Sequence, residues 1–139
     1  TSGYSSKKDF MKVLKYVDFV IYDIKHMNSD IYKDWVGVNN EIILENLKII
    51  PRNTAVMIRI PIIPGFNDSD ENITETALFV KQIGNVQKLE LLPYHKLGVL
   101  KYERLGVKYK IPNIEPPWEP DVIRLKKLVE THNISCEIQ

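Results

Sequence analysis

The chain is poor in the features that mark several large classes of protein. Its single cysteine, Cys136, excludes an internal disulfide and a cysteine cluster made by this chain alone, and it fits a reducing cytoplasm. No apolar run approaches the ~20 residues of a membrane span, and no signal peptide is recognised at its start. The formal net charge of +1 offers no basic surface for nucleic acid. We therefore expect a cytoplasmic protein that binds neither membrane nor nucleic acid.

The remaining composition is that of an ordinary globular protein. Of the 139 residues, 44% are hydrophobic and 27% are charged, and this length predicts one domain. The chain begins with Thr1 rather than Met, which predicts that residues 1–139 are a single-domain piece of a longer protein.

Strand and helix periods alternate along the chain. Strands are predicted at VDFVIYDIK, AVMIRIPII, VQKLELL and, near the end, ISCEI. The first of these is nearly continuous in apolar residues, which is typical of a strand covered on both faces. Segments with helical spacing of apolar residues separate the strands. This order predicts an α/β fold built from parallel βα units.

Several residues predict where helices begin and end. A helix should be capped at Asn28 or Ser29 and end at Gly37. The spacing of Asp68 and Glu71 resembles a capping box and predicts another helix start. A last helix should begin at Pro120 and end near His132, which we expect at the surface. Between them, residues 93–118 are predicted to be a long irregular loop.

Polar side chains follow or interrupt the three long strands. Asp23 and Lys25 are two residues apart and leave the first strand on the same face, as a ligand grip or as a simple ion pair. Arg59 lies within apolar residues, so it should pair with an internal acid such as Asp23 or meet an anionic ligand. His95 follows the third strand and is a ligand contact or a structural hydrogen-bonding group. Ligands gather at the carboxyl ends of parallel strands, so these residues predict a site for a zwitterionic or carboxylate-bearing small molecule.

A metal site made by this chain is not predicted. His26, His95 and His132 lack the spacing of metal ligands. No residue of the chain is predicted to be catalytic.

Five segments together resemble one enzyme family. They are YDIKHM, GVNNEIILENL, IRIPIIPGFNDSDENI, KLELLPYHKLGVLKYERLG and IEPPWEP. In this order they resemble the C-terminal half of the glycyl-radical-enzyme activating enzymes, which are radical S-adenosylmethionine proteins related to the pyruvate formate-lyase activating enzyme. The resemblance covers nearly the whole chain. It implies a partial, TIM-like (β/α) barrel, of which this chain is the later half of a (β/α)6 radical-SAM core.

The resemblance also implies a cofactor and its contacts. S-adenosylmethionine would lie across the strand ends, with its methionine carboxylate at Thr1 and Lys25 and its ribose at Asp23. Arg59 and His95 would line the nucleoside region. The four residues selected from the strand pattern are therefore also those that the family uses.

One departure from the family is large. The C-x-x-x-C-x-x-C motif that holds a [4Fe-4S] cluster is absent, and so is the Gly-Gly-Glu segment. Three cysteine thiolates are needed for that cluster, and Cys136 alone cannot replace them. We therefore expect the cluster ligands in an upstream half of the parent protein, and we expect this chain to be inactive alone.

The parent enzyme implied by the resemblance cleaves S-adenosylmethionine and leaves a glycyl radical on a partner such as pyruvate formate-lyase. A reductant such as flavodoxin or ferredoxin would supply the electron. The 93–118 loop is our candidate for the partner-binding rim. Two alternatives remain open: a non-catalytic α/β module that binds an anionic small molecule, and a purely structural half-barrel.

A cut barrel should also expose an edge. The first strand, residues 17–24, would present unpaired backbone groups, and the inner face of the half-barrel would be uncovered. We therefore expect a homodimer or larger assembly of this chain.

Overall fold

The computed structural model describes residues 1–96, 99–107 and 114–139. In chain order the elements are α1 (Lys7–Leu14), β1 (Phe19–Asp23), α2 (Ser29–Val36), α3 (Glu41–Lys48), β2 (Ala55–Ile62), α4 (Asp70–Ile83), β3 (Val86–Pro93), α5 (Val99–Arg104), α6 (Glu119–Thr131) and β4 (Cys136–Ile138). The strands form one parallel sheet in the order β1-β2-β3-β4. This arrangement confirms the predicted α/β fold. Within the described ranges, none of the helices combines the length and apolarity that crossing a bilayer requires.

The sheet is covered by helices on one face. Tyr22, Ile58 and Leu89 are paired across β1, β2 and β3, point to the same side and are fully buried. They belong to one apolar cluster with Phe10 of α1 and Leu125 of α6. Full burial of each such side chain contributes about 1.5–3 kcal/mol.

The opposite face of the sheet, called the open face below, carries half-buried and charged side chains. Phe19 is 46% exposed, and Asp23 and Arg59 are half-buried. The prediction that the first strand is covered on both faces is therefore wrong. Its apolar run reflects burial on one face and partial exposure of residues such as Ile21 on the other.

Most helix ends lie where the sequence predicts them. Asn28 caps α2 by accepting hydrogen bonds from the amides of Asp30 and Ile31, and Gly37 ends the helix with a left-handed φ of 90°. Pro120 is the second residue of α6 rather than the first. His132 caps the end of that helix and is half-buried, not fully exposed.

The predicted start of α4 is wrong by one residue. The cap is Ser69, whose hydroxyl accepts a hydrogen bond from the Asn72 amide at 3.2 Å. Asp68 is not available for this role because its carboxylate accepts a hydrogen bond from the Gly65 amide in the preceding turn, at 2.9 Å.

The stretch predicted to be irregular, residues 93–118, is ordered in part. It contains the short helix α5 and, at its start, the last residue of β3. Residues 97–98 and 108–113 of this stretch lie outside the described residues.

The outer edge of β1 is also less open than predicted. The amino nitrogen of Thr1 donates to the Ile21 carbonyl at 2.9 Å, and the Asp23 amide donates to the Thr1 carbonyl at 2.9 Å. These bonds cover the carboxyl-terminal half of β1 and leave the Phe19 end without such a neighbour among the described residues. Self-association through this edge and the open face stays a prediction.

Gly3 allows the first residues of the chain to reach this edge. Its φ is 69°, and a Cβ added there would lie 1.6 Å from the Tyr22 hydroxyl oxygen. Tyr22 cannot withdraw easily because it is fully buried and its hydroxyl donates to the Ile43 carbonyl at 2.6 Å. The position therefore requires glycine for two separate reasons.

We predict that Gly3→Ala destabilises the chain more than Gly37→Ala does. Both positions carry a left-handed backbone, which costs a residue with a Cβ about 1–2 kcal/mol. A Cβ at Gly37 meets open space, whereas one at Gly3 collides with Tyr22. Urea unfolding of the two variants measures the difference. Equal losses would show that the contact with Tyr22 is unimportant.

Candidate functional site

The parallel register places three charged residues in one row across the open face. Asp23 of β1 is paired with Arg59 of β2, and Arg59 is paired with Glu90 of β3. Paired residues of parallel strands point to the same side, so all three side chains leave the same face. The expectation that Arg59 lies near the carboxyl end of its strand is wrong, because Arg59 is in the middle of β2.

Arg59 pairs with Glu90 and not with Asp23. Its Nε lies 2.8 Å from Oε2 of Glu90, whose side chain is 3% exposed. Of the two alternatives for Arg59, an internal acid or an anionic ligand, the structure shows an internal acid, but that acid is Glu90 and not the suggested Asp23. Both neighbours are in register with Arg59, and the buried carboxylate gains more from the contact than the half-buried one.

Asp23 and Lys25 lie at the carboxyl end of β1. Among the described residues, neither the Asp23 carboxylate nor the Lys25 ammonium has an ion-pair or hydrogen-bond partner. Lys25 follows Asp23, the last residue of β1, by two residues and so lies just beyond the carboxyl end of that strand. Thr1 lies next to Asp23, because the Thr1 carbonyl accepts a hydrogen bond from the Asp23 amide.

His95 lies farther from the row than the other predicted residues. It follows the last residue of β3, Pro93, by two positions, and it is exposed. Glu90, the residue of β3 that belongs to the charged row, lies five residues before His95. The structure thus brings Thr1, Asp23 and Arg59 together and places His95 beyond the same end of the sheet.

A buried asparagine joins the strand ends that carry these residues. Asn67 is fully buried, and its Nδ2 donates to the carbonyls of Lys25, at 2.9 Å, and Pro61, at 2.6 Å. Its Oδ1 accepts a hydrogen bond from the Ile63 amide at 2.8 Å. One side chain therefore links the residues after β1 to the end of β2.

Two further asparagines hold the segment that follows Lys25. Asn72 accepts a hydrogen bond from the Met27 amide at 2.9 Å and donates to the Asn67 carbonyl at 3.0 Å. Asn40 donates to the carbonyls of His26 and Met27, at 2.9 and 2.8 Å. Buried backbone groups in such loops must find partners, and these amides supply them.

A fourth asparagine holds the loop that carries Thr1. The Nδ2 of Asn46 donates to the carbonyls of Gly3, at 2.8 Å, and Ser5, at 2.9 Å, and the residue is 2% exposed. The loop is thus attached to α3 as well as to the edge of β1.

Sequence reasoning missed Glu90 and these asparagines. Glu90 had a usable signal, since it is an acid inside the apolar run KLELL, as Arg59 is a base inside MIRIP. Asparagines in polar loops are too common for their burial to be read from the sequence.

His26 is buried in the segment that follows β1. It lies 5.5 Å from the Phe66 ring, and its Nδ1 accepts a hydrogen bond from the Asn28 amide. Burial lowers its pKa, while the charges of Glu75 and Glu71 act in the opposite direction. No group of three or more His, Cys, Asp or Glu residues suited to a metal ion occurs in the part of the chain that the structure describes.

Comparisons with known proteins identify the family of the chain. No protein-family model matches the chain. It is 41% identical over 133 residues to the indoleacetate decarboxylase activating enzyme of Tractidigestivibacter scatoligenes, a match that covers 94% of this chain and 42% of that protein. It is 36% identical over 135 residues to the pyruvate formate-lyase 1-activating enzyme of Escherichia coli K12, covering 95% of this chain and 55% of that protein. The chain is a homologue of the glycyl-radical-enzyme activating enzymes.

The family resemblance read from the five sequence segments is thereby confirmed. The chain spans about half the length of the curated relatives it matches. The fold agrees as well, because all of the chain superposes on 78% of a domain of the pyruvate-formate lyase-activating enzyme from Bacteroides vulgatus, with a TM-score of 0.81 at 23% identity.

We predict that Asn67→Ala destabilises the chain by about 2–4 kcal/mol, because it leaves the Ile63 amide and two carbonyls without their partner. Amide hydrogen exchange should show lost protection at Ile63. Asn85→Ala is the matched control, since Asn85 bridges Pro51 and Thr54 at the opposite end of the sheet. That variant should leave Ile63 protected, and unchanged protection in Asn67→Ala would contradict the assigned role.

Proposed function

We propose that this chain forms part of the S-adenosylmethionine pocket of an enzyme that generates a glycyl radical on a partner protein. The observation that carries the proposal is the homology to activating enzymes, combined with the charges of Asp23 and Lys25, which have no partner among the described residues and lie near Thr1. The names of those relatives specify different target enzymes. The partner of this chain is therefore proposed only as a glycyl-radical enzyme such as pyruvate formate-lyase.

The residues of the open face and of the adjoining strand ends suit the chemical groups of S-adenosylmethionine. Lys25 and the Thr1 hydroxyl are proposed to bind the methionine carboxylate, and Asp23 is proposed to accept hydrogen bonds from the ribose hydroxyls. Arg59 and His95 are proposed to line the nucleoside region. A cation, an anion and the hydroxyl of Thr1 near one end of the sheet match a zwitterionic ligand with a sugar. When bound, the cofactor would supply the radical that takes hydrogen from a glycine of the partner.

The described residues do not suit the [4Fe-4S] cluster that the family implies. Cys136 is buried in β4, and burial raises the pKa of its thiol to about 12, which makes it a poor thiolate ligand. In our proposal the cluster is bound by residues outside this chain, in the part of the relatives' length that the chain does not span. An electron donor such as flavodoxin or ferredoxin would act there.

The stretch between β3 and α6 is proposed to contact the glycyl-radical enzyme. Large apolar side chains are exposed along it: Leu105 by 75%, Val107 by 53% and Trp118 by 71%. Exposed apolar residues concentrated in one stretch are typical of a protein-binding surface. The stretch follows the carboxyl ends of the strands, where the cofactor is proposed to lie.

The structural half-barrel remains the second candidate, because the Arg59–Glu90 pair shows that some charges on the open face neutralise one another. Asp23 and Lys25, which lack such partners among the described residues, favour a ligand. Titration with S-adenosylmethionine decides between them.

We predict that Lys25→Ala weakens S-adenosylmethionine binding by the intact protein about 10- to 150-fold. A charge-assisted hydrogen bond to the carboxylate contributes about 1.5–3 kcal/mol, which corresponds to that range. Calorimetry measures the affinity. The control is His132→Ala, at the C-terminal end of α6, which should bind as the wild type does. Equal affinities of the two variants would count against Lys25 as a ligand contact.

We also predict that this chain alone, given a reductant and S-adenosylmethionine, forms no 5′-deoxyadenosine. The intact protein with its cluster should form it and should produce a glycyl radical on its partner, which electron paramagnetic resonance detects. Product formation by the chain alone would overturn the proposed division of roles.

A further inference from the structure

Glu90 is the one carboxylate buried in the part of the chain that the structure describes. It is 2% exposed and lies between Leu89 and Leu91 in β3. A buried carboxylate is costly unless other groups compensate its charge. The packing of the apolar core therefore does not explain why a carboxylate is buried at this position.

Both oxygens of Glu90 have partners. Oε2 accepts a hydrogen bond from Nε of Arg59 at 2.8 Å. Oε1 lies 3.1 Å from Nζ of Lys88 and accepts a hydrogen bond from Nε2 of Gln139 at 3.0 Å. Burial alone would raise the pKa of Glu90, but the hydrogen bonds and charges of Arg59 and Lys88 outweigh it and hold the pKa below its usual range. The carboxylate is thus charged near neutral pH and holds Arg59 firmly.

The ion pair with Glu90 determines which nitrogens of the Arg59 guanidinium are engaged. Only Nε of Arg59 is engaged, and its two terminal nitrogens have no partner among the described residues. Arg59 stands between Asp23 on one side and Glu90 on the other. With Nε held by Glu90, the Arg59 guanidinium forms no ion pair with Asp23 among the described residues.

We infer that Glu90 is a positioning residue of the ligand site: it holds Arg59 on the β3 side of the sheet and so prevents Arg59 from neutralising Asp23. Asp23 and the terminal nitrogens of Arg59 then both remain available to one ligand that carries hydroxyl donors and acceptor atoms. This inference rests on the proposed function, because it concerns the same pocket.

Glu137 provides a matched control. It is an acid on the neighbouring strand β4, is paired with Glu90 in the register, and also contacts Lys88, at 2.5 Å. It has no contact with Arg59 among the described residues. Glu90→Gln and Glu137→Gln therefore remove the same charge next to the same lysine, but only the first releases Arg59.

The test is calorimetric titration of the intact protein with S-adenosylmethionine. We expect Glu90→Gln to bind about tenfold or more weakly, the effect of losing one charge-assisted hydrogen bond, and Glu137→Gln to bind as the wild type does. Equal affinities of the two variants would overturn the inference. If Glu90→Gln does not fold, Glu90→Asp is used instead. The shorter side chain keeps the negative charge but moves it away from Arg59, so we again expect weaker binding of S-adenosylmethionine. Unchanged binding would contradict the inference.

A double-mutant cycle separates positioning from a general loss of stability. If Glu90 acts through Arg59, then Glu90→Gln should have little further effect on affinity in an Arg59→Met background. Additive losses would show that Glu90 acts independently of Arg59 and would overturn the inference.

The titration also separates this inference from the proposed function. Wild-type protein that binds S-adenosylmethionine, and loses affinity on Lys25→Ala but not on Glu90→Gln, would refute the role of Glu90 alone. Wild-type protein that does not bind it would refute both.

Discussion

The pairing of parallel strands in a single register is the constraint on which the rest of this structure depends. It sends alternate residues of each strand to opposite faces, so that Tyr22, Ile58 and Leu89 share the face that the helices cover. The same register necessarily puts Asp23, Arg59 and Glu90 together on the other face. The apolar core and the charged row are therefore two consequences of one alignment, and a shift of one residue would exchange them.

The backbone groups at the ends of parallel strands also need hydrogen-bond partners from outside the sheet. Each strand must leave the sheet through a loop to a helix, and the backbone groups of that loop lose their ladder partners. Here buried asparagines supply several of the replacement bonds: Asn67 and Asn72, which follow β2, bond to the segment after β1, and Asn46 bonds to the loop of Thr1. The same bonds fix the backbone that carries Thr1 and Lys25, so the stability of the loops and the geometry of the candidate site are coupled.

Local features of this fold could be predicted from the sequence, and long-range ones could not. Strands, the Asn28 cap and the Gly37 helix end follow from residues that are close in the chain. The partner of Arg59 depends on which strand lies on its other side, and Glu90 is 31 residues away. The cap of α4 was misassigned for a local reason, because Asp68 and Ser69 are both good caps and only the turn at Gly65 decides between them.

The charges of the open face show how stability and ligand binding can oppose each other. A buried acid beside a base stabilises the fold most when every charge is paired. The row departs from full pairing at Asp23, which stands next to Arg59 and yet has no described partner, while Arg59 is held by Glu90 from the opposite side. Moving Arg59 toward Asp23 would leave Glu90 buried with one fewer partner, which costs more than leaving the half-buried Asp23 in contact with solvent. The depth of Glu90 thus keeps the row asymmetric, and this asymmetry leaves an anion and a cation side by side in the candidate site.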